Sequence, residues 1–161
     1  MTTNGLRPIG TLSVLLVLLI PAICLGQPSV AGTYKLVSFT MEVDGEPPRD
    51  IFGKGASGYL IMTPARLMAI LTGEGRKPGP SDADKAGLWS SLIALSGPYR
   101  LEGDKLIIAV DISWNETWTR TSQVRRWQLE GNRLTLTTDP APYARDPSKH
   151  ASTRVVWERS E

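Results

Sequence analysis

Apolar and polar residues alternate with a period of two along most of the chain. "GTYKLVSFTMEV" (32–43) alternates and is ended by the breakers of "DGEPP". "SGYLIMT" (57–63) and "RLMAILT" (66–72) flank Pro64-Ala65, a link short enough for a hairpin. "GPYRLEGDKLIIAVDI" (97–112) predicts two strands around Glu102-Gly103-Asp104. "TRTSQVRRWQLEGNRLTLTT" (119–138) predicts two more around Gly131-Asn132, and "STRVVWERS" (152–160) a last one. Short links between neighbours predict antiparallel pairing.

One segment leaves this period. In "SDADKAGLWSSLIAL" (81–95), Leu88, Trp89, Leu92 and Ile93 fall on one helical stripe. Ser81 with Asp84 forms a capping pattern at its start, and Gly97-Pro98 is the expected stop. "GEGRKPGP" (73–80) and the Pro-rich "DPAPYARDPSKH" (139–150) are expected as loops. About eight short antiparallel strands in meander order predict an all-β, up-and-down antiparallel barrel, with the one short helix capping an end. Closure removes exposed sheet edges, and a barrel of this strand number is either filled by side chains or holds one small ligand.

The first residues do not fit the barrel. "LSVLLVLLIPAICLG" is an apolar run of signal-peptide length behind a single charge, Arg7, with small Cys24 and Gly26 before Gln27. Residues 1–26 are expected as a cleaved signal peptide and 27–161 as one barrel domain, secreted or periplasmic. An uncleaved anchor and an acylated Cys24 are the alternatives. Cleavage removes the only cysteine, so no disulfide, thiolate metal site or cysteine nucleophile is available. It also removes Arg7, taking 18 basic residues to 17 against 16 acidic ones. That balance gives no reason to expect nucleic acid or, after cleavage, a membrane as partner.

Candidate chemistry concentrates in one strand. In "TRTSQVRRWQLEG" (119–131) the period of two puts Thr121, Gln123, Arg125, Trp127 and Leu129 on one face. A fully buried, unpaired guanidinium costs several kcal/mol, so Arg125 needs a partner. It either closes one end of the barrel, stacked on Tyr34 or Trp157 and bonded to carbonyls, or clamps a ligand carboxylate. Gln123 and Thr121 either form a network with Arg125 or orient a ligand's polar end, since a buried amide without partners costs about 1–3 kcal/mol. Trp127 and Trp157 are expected in the core. Trp114 and Trp118, in "SWNETW", are expected to rim the barrel mouth or fold over it. The apolar lining is expected from Tyr34, Leu36, Tyr59, Ile61, Met68, Ile70, Leu106, Ile108 and Leu136, with every assignment inverted by a one-residue slip in register. The candidate ligand-binding interior is thus Tyr34, Tyr59, Met68, Trp114, Thr121, Gln123, Arg125 and Trp127.

No catalytic residue, metal site or cofactor motif stands out. The single histidine, His150, lies in the Pro-rich loop with no ligand partner at metal spacing. No nucleophile–base pair is visible, and Asp111 is the one strand carboxylate considered as a base. Asn115-Glu116-Thr117 fits the glycosylation pattern, which matters only in a eukaryotic secretory path.

"GTYKLVSF", "GYLIMTP" followed by "RLMAIL", "GPYRLEGDKL", "TSQVRRWQLEGNRLTL" and the closing "VVWER" resemble bacterial lipocalin-like domain proteins over nearly all of 31–160. The Thr-x-Gln-x-Arg-x-aromatic string and the Leu-x-Gly-x-x-Leu-x-Leu after it are the most specific part. Gly32-x-Tyr34 stands where lipocalins more widely carry Gly-x-Trp. The resemblance implies an up-and-down barrel around a small apolar cavity, with an Arg over the first-strand aromatic. Three departures stand out: Ala65-Arg66 in place of an Asp-Gly turn, Arg120 in place of a glycine before the string, and no histidine in 105–112. Chemistry resting on that imidazole does not carry over.

These features lead to the expectation of an exported, monomeric protein that binds a small apolar or amphipathic molecule inside the barrel. A protein-binding module with a filled barrel, exposing an apolar patch around Trp114 and Trp118, is the first alternative. A cofactor-free isomerase or cyclase using Arg125, Gln123 or Asp111 in the cavity is the second.

Overall fold

The computed structural model describes Met1 and residues 29–161. The leader expected over 1–26 falls, Met1 apart, outside the described residues. The elements are β1 (Gly32–Val43), β2 (Arg49–Asp50), β3 (Ser57–Met62), β4 (Arg66–Thr72), α1 (Asp82–Ser90), β5 (Leu92–Glu102), β6 (Lys105–Ala109), β7 (Ile112–Ser113), β8 (Ser122–Glu130), β9 (Arg133–Thr137), β10 (Ala141–Tyr143) and β11 (Asp146–Arg159). Eight of the strands, β1, β3, β4, β5, β6, β8, β9 and β11, pair antiparallel in chain order, and β11 returns to pair with β1. The sheet therefore closes on itself as an up-and-down barrel, as the meander pattern predicts.

Two chain segments behave differently from their local pattern. The helix ends at Ser90, not at 95, and Leu92 and Ile93 pair with Thr72 and Leu71 of β4. The expected stop at Gly97-Pro98 is interior to β5, where Pro98 lies opposite Arg66. Pairing with a waiting strand outweighs a short helical stripe. At the start of α1 the capping box is present: Ser81 Oγ accepts from the Asp84 N–H, and the Asp84 carboxylate accepts from the Ser81 N–H, both at 3.1 Å. The second segment is 139–150, expected as a loop. It forms a hairpin in which Pro142 lies opposite His150, and it extends β11 beyond the barrel.

The two ends of the barrel differ. One is closed by the chain itself. Residues 29–31 tuck beneath the barrel, with Val30 buried. Tyr34, which has no exposed surface, donates its hydroxyl to the Val30 carbonyl at 2.9 Å. Arg159 lies opposite Tyr34 in the β1–β11 register, and its guanidinium carbon is 4.8 Å from the centre of the phenol ring. It donates to the Ser29 carbonyl (2.9 Å), the Tyr34 hydroxyl (2.7 Å) and the Ala31 carbonyl. Burial pushes the Tyr34 phenol up in pKa, and Arg159 pulls against it. An arginine closing the end over the first-strand aromatic is therefore present, but it is Arg159 and not Arg125.

The other end is the mouth. Residues 44–56 fold across one side of it. Ile51 N–H donates to the Phe39 carbonyl (2.9 Å), and the Phe52 ring stands edge-on to Phe39 at 5.4 Å. The helix α1 stands at this end, between β4 and β5, and buries none of its residues. Its Trp89 ring meets Trp114 at 6.4 Å, and Trp114 meets Trp118 edge-on at 4.8 Å.

Candidate functional site

A cavity of about 480 Å³ occupies the mouth half of the barrel. That lies within the roughly 300–1,000 Å³ usual for small-molecule pockets. Its wall is mostly apolar: Leu60 of β3, Leu67, Ala69 and Leu71 of β4, and Ile93 and Leu95 of β5 form one side. Phe39, Met41 and Ile51 lie toward the mouth, with Trp118. The polar groups gather elsewhere, on β8 and on the Thr138 and Thr153 ends of the β9–β11 pair, as Gln123, Arg125, Thr138 and Thr153.

Arg125 gets there by strand alternation. Along β8 the odd-numbered residues 123 to 129 are half-buried and the even ones exposed, so Gln123, Arg125, Trp127 and Leu129 all turn inward. The Arg125 guanidinium donates to its neighbour's carbonyl at Val124 (2.7 Å) and to Gln123 Oε1 (3.3 Å). Gln123 Nε2 in turn donates to Thr121 Oγ1 at 3.3 Å. Burial lowers the Arg125 pKa, yet a guanidinium remains charged at any ordinary pH.

The indole N–H of buried Trp157 has no acceptor and is itself closed off from the cavity space. The Thr138 hydroxyl is engaged by the Thr153 N–H at 2.8 Å.

The remaining expected site residues fall outside the cavity, each for a definite reason. Tyr59 and Met68 point outward, with Ile61 and Ile70; they are 48%, 54%, 46% and 46% exposed. The inner row of this hairpin is Gly58, Leu60 and Met62 against Leu67, Ala69 and Leu71, one residue out of step with the expectation. Both faces of β3 and β4 are apolar, so alternation of polarity gave no sign of which was inside. Gly58 lies on the inner row, where a side chain would collide with the Ile70 carbonyl. Exchanging Met68 for Lys on this outer wall is expected to change stability by less than about 0.5 kcal/mol, measured by urea denaturation; a loss of several kcal/mol would place Met68 inside.

Tyr34 is buried, but in the closed end. Trp114 packs between Trp89 and Trp118, and only Trp118 reaches the cavity wall. Thr121 is exposed at the mouth, where its hydroxyl donates to the Trp118 carbonyl at 2.7 Å. Trp127 packs on the core beside the cavity, its indole N–H donating to the Gly103 carbonyl at 3.0 Å in the β5–β6 turn. Of the expected lining, Ile108 and Leu136 reach the cavity, with Gln123 and Arg125. Asp111 lies outside it, paired with Arg66 at 2.7 Å, and the hydrogen bond from Arg66 holds its carboxyl below the ordinary range. Sequence reasoning missed the inner row of β3 and β4 and, among polar residues, Arg159, Thr138 and Thr153. The Arg159 signal was its place two residues after Trp157 in the strand that meets β1; the two threonines carried none.

Among the described residues no three His, Cys, Asp or Glu side chains gather closely enough to hold a metal ion, and no helix is long and apolar enough to cross a membrane. No curated protein matches the chain. The chain is similar to a crystal structure of an uncharacterized protein from Bacteroides eggerthii, at 12% identity and a TM-score of 0.40, over 80% of this chain and 98% of that one. The sequence pattern of the lipocalin-like domain matches residues 31–160, from the first strand to the last. The chain belongs to the lipocalin-like domain family.

Proposed function

We propose that this protein binds a small, mostly apolar molecule within its barrel. The observation that carries the reading is the unfilled cavity of about 480 Å³, apolar on most of its wall and polar on one side. Sites of that make-up bind by burying apolar surface and orient by a few polar groups. The tryptophans at the mouth and the folded-over 44–56 segment support a route of access from that end only. The apolar leader supports an exported binder. A filled barrel working through its outer surface is disfavoured by the same cavity, and an enzyme relying on Asp111 by its pairing with Arg66.

The test is displacement of a fluorescent apolar probe, together with melting in the presence of C8–C12 amphiphiles. Binding to the folded state alone stabilises by about 2.7 kcal/mol at a hundredfold excess over Kd. An Ala69→Phe exchange, which projects a ring into the cavity, is expected to weaken probe binding at least tenfold while the barrel still melts cooperatively. Absence of binding by the native protein, or undiminished binding by the filled variant, would refute the reading.

A further inference from the structure

We propose that the molecule held in this cavity carries a single carboxylate, received by Arg125 on the β8 side, with its apolar body laid against β3, β4 and β5. This rests on the cavity being a binding site, and adds the chemical class of what it binds.

The first ground is the partnering of arginines. On the outer surface Arg66, Arg100, Arg126, Arg133 and Arg154 each meet a carboxylate, at 2.7, 2.6, 2.6, 3.5 and 3.2 Å, while Arg49, Arg76, Arg120 and Arg145 meet none but are exposed to water. Arg159 is satisfied by two carbonyls, a hydroxyl and an aromatic face. Arg125 alone among the described arginines lines the cavity, and no acidic residue lies within ion-pair distance of it or in the cavity wall. Its contacts are one backbone carbonyl and one neutral amide oxygen. A charge taken out of water with only neutral acceptors is costly, and an incoming anion converts that cost into a strong, charge-assisted pair.

The second ground is charge number. One guanidinium with no second cation in the wall balances one negative charge and leaves a phosphate dianion half-compensated. The rest of the wall admits a hydrocarbon body and offers little to a sugar or peptide.

The experiment compares decanoate, decanol, methyl decanoate and decyl phosphate by calorimetry at pH 7, on the native protein and on Arg125→Met. Native protein is expected to bind decanoate at least tenfold tighter than decanol or the ester. In the variant that preference vanishes, through loss of decanoate affinity, while decanol stays within about threefold of its native value. The variant is expected to melt at or above the native temperature, since it sheds a desolvated charge; an arginine that merely supported the fold would lower it. Equal binding of acid and alcohol by the native protein overturns the proposal without any variant, and so does a preference that survives Arg125→Met. Tighter binding of decyl phosphate overturns the assignment to carboxylate. Binding of no probe at all refutes the cavity reading itself, and this proposal with it.

Discussion

Replacing Arg159 by Ala is expected to cost the barrel about 3 kcal/mol, read as a fall in melting temperature of roughly 10 °C. The guanidinium ties the 29–31 segment to Tyr34, adding to the single Tyr34–Val30 hydrogen bond between them. It holds the 29–31 segment by two carbonyls, the Tyr34 hydroxyl at 2.7 Å, and the face of the Tyr34 ring. Hydrogen bonds involving a charged group contribute about 1.5–3 kcal/mol each when made, and a cation over an aromatic face about 0.5–2. Part of this is offset by freedom regained by the side chain and the tail. Arg159→Lys is expected to recover less than half of the loss, because an ammonium cannot bond two carbonyls and a hydroxyl in one plane. Hydrogen exchange at Tyr34 and the first residues of β1 should rise before that of β4 or β5. A loss below about 1 kcal/mol would mean that the closed end is held by burial of Val30 and Trp157 instead.

A comparable loss, about 3–4 kcal/mol, is expected from Gly97→Ala, although it adds only one methyl group. A Cβ at Gly97 would collide with the Ala109 carbonyl, and the next atoms it meets, the Ala109 carbonyl carbon and the Val110 Cα at 3.1 Å, are also backbone. No side-chain rotation relieves such a contact; β5 and the 109–110 segment have to separate. That separation moves Leu95 and Ile108, so affinity of the cavity for an apolar probe should fall as well. Gly87→Ala is the control. It lies inside α1 with nothing within 4 Å of the added group, and should be neutral or stabilising by up to about 1 kcal/mol. Native stability of the Gly97 variant in thermal melting would show that β5 has room to bend at this point.

Gly97 also shows where local signals misled. As Gly-Pro after a helical stripe it reads as a helix stop; in the fold it is the point at which a strand passes close to a neighbour's backbone. The same holds for Arg125 and Arg159. Both sit two residues from a strand tryptophan, Trp127 and Trp157, and a sequence with one visible polar face assigns the end-closing role to the arginine on that face. Only the β1–β11 register, with Tyr34 opposite Arg159, assigns it correctly and leaves Arg125 free to face the cavity.

The number and order of the main strands, their antiparallel meander, the capping box at Ser81 and the inward set Gln123–Arg125–Trp127–Leu129 were all determined by the sequence, because period, turn residues and caps are properties of a few neighbouring positions. Three matters were decided by tertiary structure alone. Which face of β3 and β4 is inside depended on how the hairpin packs against the rest of the barrel, since both faces are apolar. Which arginine closes the barrel depended on the partner that each meets across strands far apart in sequence. Whether the interior is filled depended on the sum of all inward side chains around a closed cylinder, a volume that no stretch of chain carries by itself.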